Sequence, residues 1–326
     1  MNCNSIRRRV GALVAAVLCS SLPWAASAAW PEKPIRILLG YAPGGASDLA
    51  ARVVAEHLQR KYGQAVTIEN KAGAGGRLAT DAAAKADPDG YTLVLLVGAD
   101  AVIAATDPKI PYNLLRDLQF VSMITEYPFI LITAAGSKLK SVPQMLELAK
   151  KSPAGTVQYT TPGRGTTPHL AGELLAAMAG VDLTDIPYRG SSSAMTDVMS
   201  GRVDFTIAAI PSVQAYIQQG KLRAIGVTSK TRAAATPTVP AVAETIPGYE
   251  VTTWAGLAAP AKTPKAIVDK LSQDIRDVMK IKEVHDRFIE IGFDPLTGTS
   301  AEMRARVESD IAKWKQLVST RKIEFN

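Results

Sequence analysis

The chain has 326 residues, with 37 Lys and Arg against 30 Asp and Glu for a formal charge of +7, 47% apolar residues and two cysteines. This composition excludes a disordered, collagen-like or disulfide-stapled chain, and the mild positive excess is too dispersed for a nucleic-acid binder. At this length a single core usually divides, so two lobes are expected.

The first element is a leader. Arg7, Arg8 and Arg9, an apolar segment from Val10 to Leu22, and Ala26-Ser27-Ala28 follow the pattern of a secretory signal peptide, with cleavage expected after Ala28 and a periplasmic mature protein. The apolar segment is too short to span a membrane, and no later segment is long and uncharged enough. Leu18 stands where a small residue normally precedes a lipidated cysteine, which argues against an anchor at Cys19. Cys3 and Cys19 both lie in the leader, so the mature chain holds neither a disulfide nor a thiolate metal site. Removal of the leader leaves 298 residues and, without its three arginines, a charge of +4.

The β-branched run Ile35 to Leu39 reads as a strand, and Leu49 to Leu58 has apolar residues at helical spacing. Between them, Tyr41-Ala42-Pro43-Gly44-Gly45-Ala46-Ser47-Asp48 forms a Gly-rich turn. Gly44 and Gly45 allow positive φ, and the following helix brings unpaired N–H groups and a partial positive charge, a combination that suits an anion. Ser47 or Asp48 is equally what an ordinary helix N-cap looks like. Neither Gly-x-x-x-x-Gly-Lys-Ser/Thr nor Gly-x-Gly-x-x-Gly occurs here, so a nucleotide is not the favoured anion.

Ala65 to Asn70 reads as a second strand, Lys71 to Gly76 as a second Gly-rich turn, Leu78 to Ala86 as a helix and Tyr91 to Val97 as a buried strand. This succession predicts a doubly wound α/β sheet. Phe120 to Ile124 and Phe129 to Thr133 are strand-like and interrupted by Tyr127-Pro128, where the first crossing between lobes is expected. Helices at 142–151, 169–178, 194–199 and 212–219 then alternate with strands at 157–159, 185–188, 203–208 and 222–228.

Within this part, Thr160-Thr161-Pro162-Gly163-Arg164-Gly165-Thr166-Thr167-Pro168-His169 repeats the chemistry of the first turn. Gly163 and Gly165 open the backbone, Thr166 and Thr167 add hydroxyls, and Pro168 suits a first helical turn. The bland reading is a capped helix beside an incidental Arg164. Asp204 enters the strand whose far end should reach the cleft; it is expected to bond a cleft loop or a ligand amine, with a solvated or loop-capping carboxylate favoured over direct contact.

Thr231 to Tyr249, with three prolines, should be a surface connection, and Trp254 to Ala258 a returning strand. Helices at 264–279, 283–291 and 300–319 would cover the first lobe again, making two crossings and hence a hinge. The expected division is 29–126 with 254–326 as lobe one and 127–253 as lobe two.

Two facing anion cradles suit a small carboxylate. Catalysis has less to draw on: His57 and His285 lie in charged helical contexts, and only His169 is placed near a ligand. There is no Gly-x-Ser-x-Gly and no His-x-x-x-His pair, so no catalytic set, metal site or cofactor is expected.

Several motifs carry a family resemblance. Trp30-Pro31-Glu32-Lys33-Pro34-Ile35-Arg36, Pro43-Gly44-Gly45 leading to Asp48 and Arg52, Glu69-Asn70-Lys71-Ala72-Gly73-Ala74-Gly75-Gly76, Gly163-Arg164-Gly165-Thr166-Thr167-Pro168-His169-Leu170, Pro187-Tyr188-Arg189-Gly190 and Gly201-Arg202-Val203-Asp204 resemble the Bug family. These are the extracytoplasmic receptors of tripartite tricarboxylate transporters. The resemblance covers essentially the whole mature chain. It implies a monomeric periplasmic binding protein of type II-like fold, with two doubly wound α/β lobes and a two-segment hinge. Such a protein closes on a citrate-like, amino-acid or aromatic carboxylate, terephthalate included, and hands it to an inner-membrane permease pair. It further implies that Tyr41, Gly44, Gly45, Ala46, Ser47 and Asp48 face Gly163, Arg164, Gly165, Thr166, Thr167 and His169 across the ligand. Tyr41, Ala42 and Arg164 depart from the residues usual there, and Arg164 either adds a guanidinium contact or points to solvent. A periplasmic sensor that presents its ligand to a signalling partner would have the same binding chemistry.

Overall fold

The computed structural model describes residues 30–163, 165–188 and 191–323. The leader, with its expected cleavage at Ala28, and Arg164, Arg189 and Gly190 lie outside the described residues. From Lys33 onward the chain forms one unit.

Parallel strands β1 (Ile35–Leu39), β2 (Val66–Asn70) and β3 (Thr92–Val97) alternate with helices α1 (Ala46–Tyr62), α2 (Arg77–Ala84) and α3 (Gly98–Thr106). β3 is buried along its whole length, which matches its sequence Thr-Leu-Val-Leu-Leu-Val, apolar from Leu93 to Val97. The chain then enters β4, Leu118–Ala134, a strand of 17 residues. Tyr127-Pro128 does not interrupt it: Pro128 stays in register with Thr252 of β9 (Thr252–Pro260).

Beyond β4 the elements are α4 (Val142–Lys151), β5 (Gln158–Thr161), α5 (Thr167–Ala179), β6 (Thr184–Pro187), α6 (Ser191–Met199), β7 (Phe205–Ala209), α7 (Ile210–Gln218) and β8 (Leu222–Val227). After β9 come α8 (Lys265–Met279), α9 (Lys282–Glu290), the two-residue β10 (Asp294–Pro295) and α10 (Ser300–Arg321). The hydrogen-bonded order is β2-β1-β3-β9-β4-β7-β5-β6, with β8 and β10 also on β4.

β4 therefore belongs to two sheets. Its residues 118–128 pair with β9, and its residues 129–134 pair with β7 and β8. Register along this shared strand fixes what faces what. Val97, the last residue of β3, lies opposite Ala255, which lies opposite Thr125. Ala209, the last residue of β7, lies opposite Phe129, and Thr160 of β5 is level with Ile132 through Thr206. β3 and β7 run in opposite senses along β4, so the carboxyl ends of the two strand sets point at each other. About four residues of β4 separate them, roughly 13 Å at 3.3 Å per residue.

Two segments carry the chain across this gap, and hydrogen bonds join them. The Thr228 hydroxyl accepts the Phe129 N–H at 2.8 Å and donates to the Val251 carbonyl. Arg306 of α10 reaches both crossing strands, with Glu126 of β4 at 2.6 Å and the Thr252 hydroxyl of β9 at 2.8 Å. Its Nε contacts Asp310 at 3.2 Å, which in turn accepts Trp254 Nε1 at 2.8 Å.

α10 also departs from the expected return to the first strand set. Met303 and Val307 join the core of β1, β3, β4 and β9, but Trp314 is buried with Val157, Leu170 and Leu175 of the other core. With 22 residues the helix is about 33 Å long, enough to pass both cores, and its apolar stripe continues into Leu317 and Val318.

Tyr159 organises the second core. Its ring is wholly buried, stacks on Phe205 with centroids 5.4 Å apart, and crosses α5 at Gly172, where a Cβ would overlap it. We expect Gly172→Ala to cost about 1–3 kcal/mol by overpacking. Urea denaturation measures this, and an unchanged midpoint contradicts the packing described.

Candidate functional site

Both Gly-rich turns leave their strands at the facing ends. On the first side, Gly40 packs backbone to backbone on the 71–76 turn: a Cβ there would fall 2.7 Å from the Gly76 carbonyl oxygen and overlap its Cα. Gly44 has φ of 80°, and Gly45 is the N-cap of α1 with no side-chain cap. The first-turn N–H groups of α1 thus open toward the gap with the helix dipole behind them.

Asp48 shapes this turn from beneath. It is 2% exposed and accepts the Gly44 N–H at 2.9 Å, Arg52 Nε and Nη2 at 2.8 and 3.0 Å, and Asn70 Nδ2 at 3.1 Å. Burial pushes its carboxyl up, but these hydrogen bonds outweigh burial and hold it below the usual range. Asn70 donates as well to the Tyr41 carbonyl at 2.9 Å, and the Tyr41 hydroxyl donates to the Gly75 carbonyl at 3.2 Å. The side chain of Asp48 is occupied with the turn itself, an arrangement whose Arg52 half shows in the sequence at i,i+4 while Asn70 does not.

On the second side, Gly163 and Gly165 adopt φ of 131° and 78°. Thr166 caps α5, donating to the Gly163 carbonyl at 2.7 Å and accepting the His169 N–H at 3.4 Å. His169 is 2% exposed, and its Nδ1 accepts the Gly165 N–H at 3.3 Å. The hydroxyls of Thr161 and Thr167, at the end of β5 and the start of α5, are buried without a protein hydrogen-bond partner.

Two further helix starts meet the same gap: α3, which was not expected from sequence, and α7, which answers to the helix expected at 212–219. α3 follows β3 without a loop, its Gly98 lying so close to Thr253 that a Cβ would stand 2.6 Å from the hydroxyl. Asp100 in its first turn accepts the Val97 N–H and the Thr80 hydroxyl, each at 2.8 Å. Burial pushes its carboxyl up to about 6, against the pull of those two bonds. α7 begins directly after Ala209, with the Ser212 hydroxyl on the Ala209 carbonyl at 2.7 Å.

The structure therefore gathers Tyr41, Gly44, Gly45, Ala46, Ser47 and Asp48 at one edge and Gly163, Gly165, Thr166, Thr167 and His169 at the other. Asp204 is not gathered with them. It precedes Phe205, at the end of β7 remote from Ala209, and accepts the Gln158 N–H at 2.8 Å, tying β5 to β7. His57 is buried within α1, with Nδ1 on the Val53 carbonyl, and His285 is exposed on α9. Cationic side chains around the first turn are matched with acids: Arg52 with Asp48, Arg36 and Lys71 with Glu69, Arg77 with Asp107. What this edge offers an anion is neutral backbone dipole.

Comparison with known proteins follows the same lines. Residues 50–323 match the tripartite tricarboxylate transporter family receptor. The Bordetella pertussis protein BugT is 35% identical over 292 residues, 89% of each chain. Rpa4515 of R. palustris, solved with adipate, matches with a TM-score of 0.83 at 30% identity, over 90% of this chain and 99% of that one. The periplasmic binding protein BugD matches at 0.80 and 29%, over 90% and 99%. MatC of Rhodopseudomonas palustris, with bound malate, matches at 0.78 and 27%, over 89% and 100%.

Asp48 and Asp100 give stability opposite pH dependences. Asp48 titrates low, so its contribution is present above about pH 4 and lost as pH falls through its folded value. Asp100 holds a proton in the fold that the unfolded chain has released, so stability falls as pH rises from about 4, the unfolded value, to about 6. Asp48→Asn should lose about 1–3 kcal/mol at neutral pH, a deficit that closes in acid. Asp100→Asn should abolish the fall over the higher window. Denaturation at a series of pH values checks both, and an Asp48→Asn deficit independent of pH contradicts the assignment.

Proposed function

The chain belongs to the tripartite tricarboxylate transporter receptor family, periplasmic solute-binding proteins rather than enzymes, and from that premise we propose that it captures a small dicarboxylate between its two Gly-rich turns. The family works with tripartite tricarboxylate transporters, and delivery of the captured acid to the permease subunits of such a transporter completes this reading. Export through the 1–28 leader is part of the same proposal.

The observation that carries it is the opposition of two strand sets across 126–129 of β4. Helix α1 and helix α5 each point an N-terminus at the gap, and the buried Thr161 and Thr167 hydroxyls have no protein partner. An unpaired buried hydroxyl costs about 1–3 kcal/mol, a cost that an acceptor in the gap removes. Charge-assisted hydrogen bonds contribute about 1.5–3 kcal/mol each, so three or four give roughly 5–12, against about 8 for micromolar binding. Relatives solved with adipate and malate show that acids of different chain length are held by proteins of this kind.

Closure is part of the proposal. The crossings at 126–129 and 250–252 act as hinge segments between a lobe built on β1–β3 and β9 and a lobe built on β5–β8, and a ligand that touches both turns favours the closed form. The span of α10 over both cores and the Arg306 contacts to both crossing strands support a limited, guided rotation.

A thermal-shift screen of di- and tricarboxylates followed by calorimetry tests this reading. At least one acid should bind saturably at micromolar concentration, and no saturable binding to any of them contradicts it. Thr167→Val should weaken that acid about tenfold without destabilising the fold, because its buried hydroxyl has no protein partner to lose. Equal affinity in the variant would place the hydroxyl outside the site.

A further inference from the structure

We propose that His169 is a positioning residue: its unprotonated Nδ1 holds the Gly165 amide and keeps the second turn in its anion-accepting shape, so that protonating the ring releases the turn. The functional consequence rests on the reading of this turn as one wall of the ligand site.

The residue is held at the ring and at both main-chain groups. Nδ1 accepts the Gly165 N–H at 3.3 Å, while the main chain of His169 donates to the Thr166 hydroxyl at 3.4 Å and accepts the Tyr159 hydroxyl at 3.2 Å. Thr166 in turn donates to the Gly163 carbonyl at 2.7 Å. Ring, cap and both left-handed glycines thus form one connected set, in which the imidazole supplies an acceptor four residues from the amide it holds. Buried and occupied in this way, the ring acts on a ligand through Gly165 rather than by touching it.

A backbone N–H can only donate, so Nδ1 must carry a lone pair and the proton of the neutral ring resides on Nε2. Nε2 faces Glu173 Oε1 of the same helix at 4.0 Å and Asp185 Oδ2 of β6 at 3.9 Å, with Arg321 of α10 standing 3.9 Å from the other oxygen of Glu173. A second proton can enter only at Nδ1. There it meets the Gly165 N–H, two donors face each other, and the bond is lost. The two carboxylates beyond Nε2 stabilise the imidazolium once it forms.

The test uses the full mature chain labelled with 15N, and two variants. His169→Asn places an amide oxygen near the position of Nδ1, an acceptor at every pH, and His169→Leu supplies none. In the unmodified protein at about pH 7.5 the ring nitrogen spectrum should show Nδ1 bare and Nε2 protonated, and the protection of the Gly165 amide against exchange should fall about fivefold by about pH 5.5. His169→Asn should keep that protection over the whole range, and His169→Leu should lack it throughout. A protonated Nδ1 at the higher pH, or Gly165 protection in His169→Leu equal to the unmodified protein, overturns the proposal. Calorimetry with adipate adds the functional arm: its affinity should follow Gly165 protection in the unmodified protein and stay flat in His169→Asn. Adipate that binds at no pH counts against the receptor reading for that acid, while the ring and exchange data still decide the role of His169.

Discussion

One strand sets the geometry on which everything else depends. Because β4 pairs with β9 over its first part and with β7 and β8 over its second, two sheets that could otherwise take any relation are locked in register. Their carboxyl-terminal edges are thereby turned toward each other. Each edge then does what such edges do in α/β proteins: it carries a loop, a helix start and a set of unpaired N–H groups. Opposing two of them brings neutral donors together, and among the described residues around the first turn Arg36, Arg52, Lys71 and Arg77 are each matched with a carboxylate. Neutral donors recognise an anion with little desolvation cost compared with a buried ion pair.

The turns are shaped by side chains hydrogen-bonded within and beneath them. Asp48 and Asn70 order the first from below, and Thr166 and the His169 ring order the second. In both turns a left-handed glycine amide is held by a side-chain acceptor four residues on, at the start of the following helix: Gly44 by Asp48, Gly165 by His169. The two acceptors differ in one respect. A carboxylate held below its usual range remains an acceptor through the mildly acid range, whereas an imidazole loses its acceptor on protonation.

Much of this was legible in the sequence. The strand, Gly-rich turn and helix succession predicts both turns and their side of the sheet, because Gly-Gly and Gly-x-Gly before an amphipathic run report backbone needs directly. Continuity of β4 was hidden by Tyr127-Pro128, since proline lacks the N–H that an interior strand uses; here it falls where β4 passes from one set of partners to the other. Helix α3 was hidden because it begins at Gly98 without a loop, so its apolar residues merge with those of β3. Asn70, the bond between Asp100 and Thr80 and the final position of Asp204 depend on contacts far apart in sequence, which no local pattern encodes. The division of α10 between two cores is of the same kind: the apolar stripe is readable, but not what it covers.

The most direct measurement is an amide titration by NMR, with adipate or whichever acid gives the largest thermal shift. If donors from both edges close on one molecule, the amides of Ala46 and Ser47 and that of Thr167 shift together with a single midpoint. Shifts confined to one edge, or two edges titrating with separate midpoints, would contradict the account.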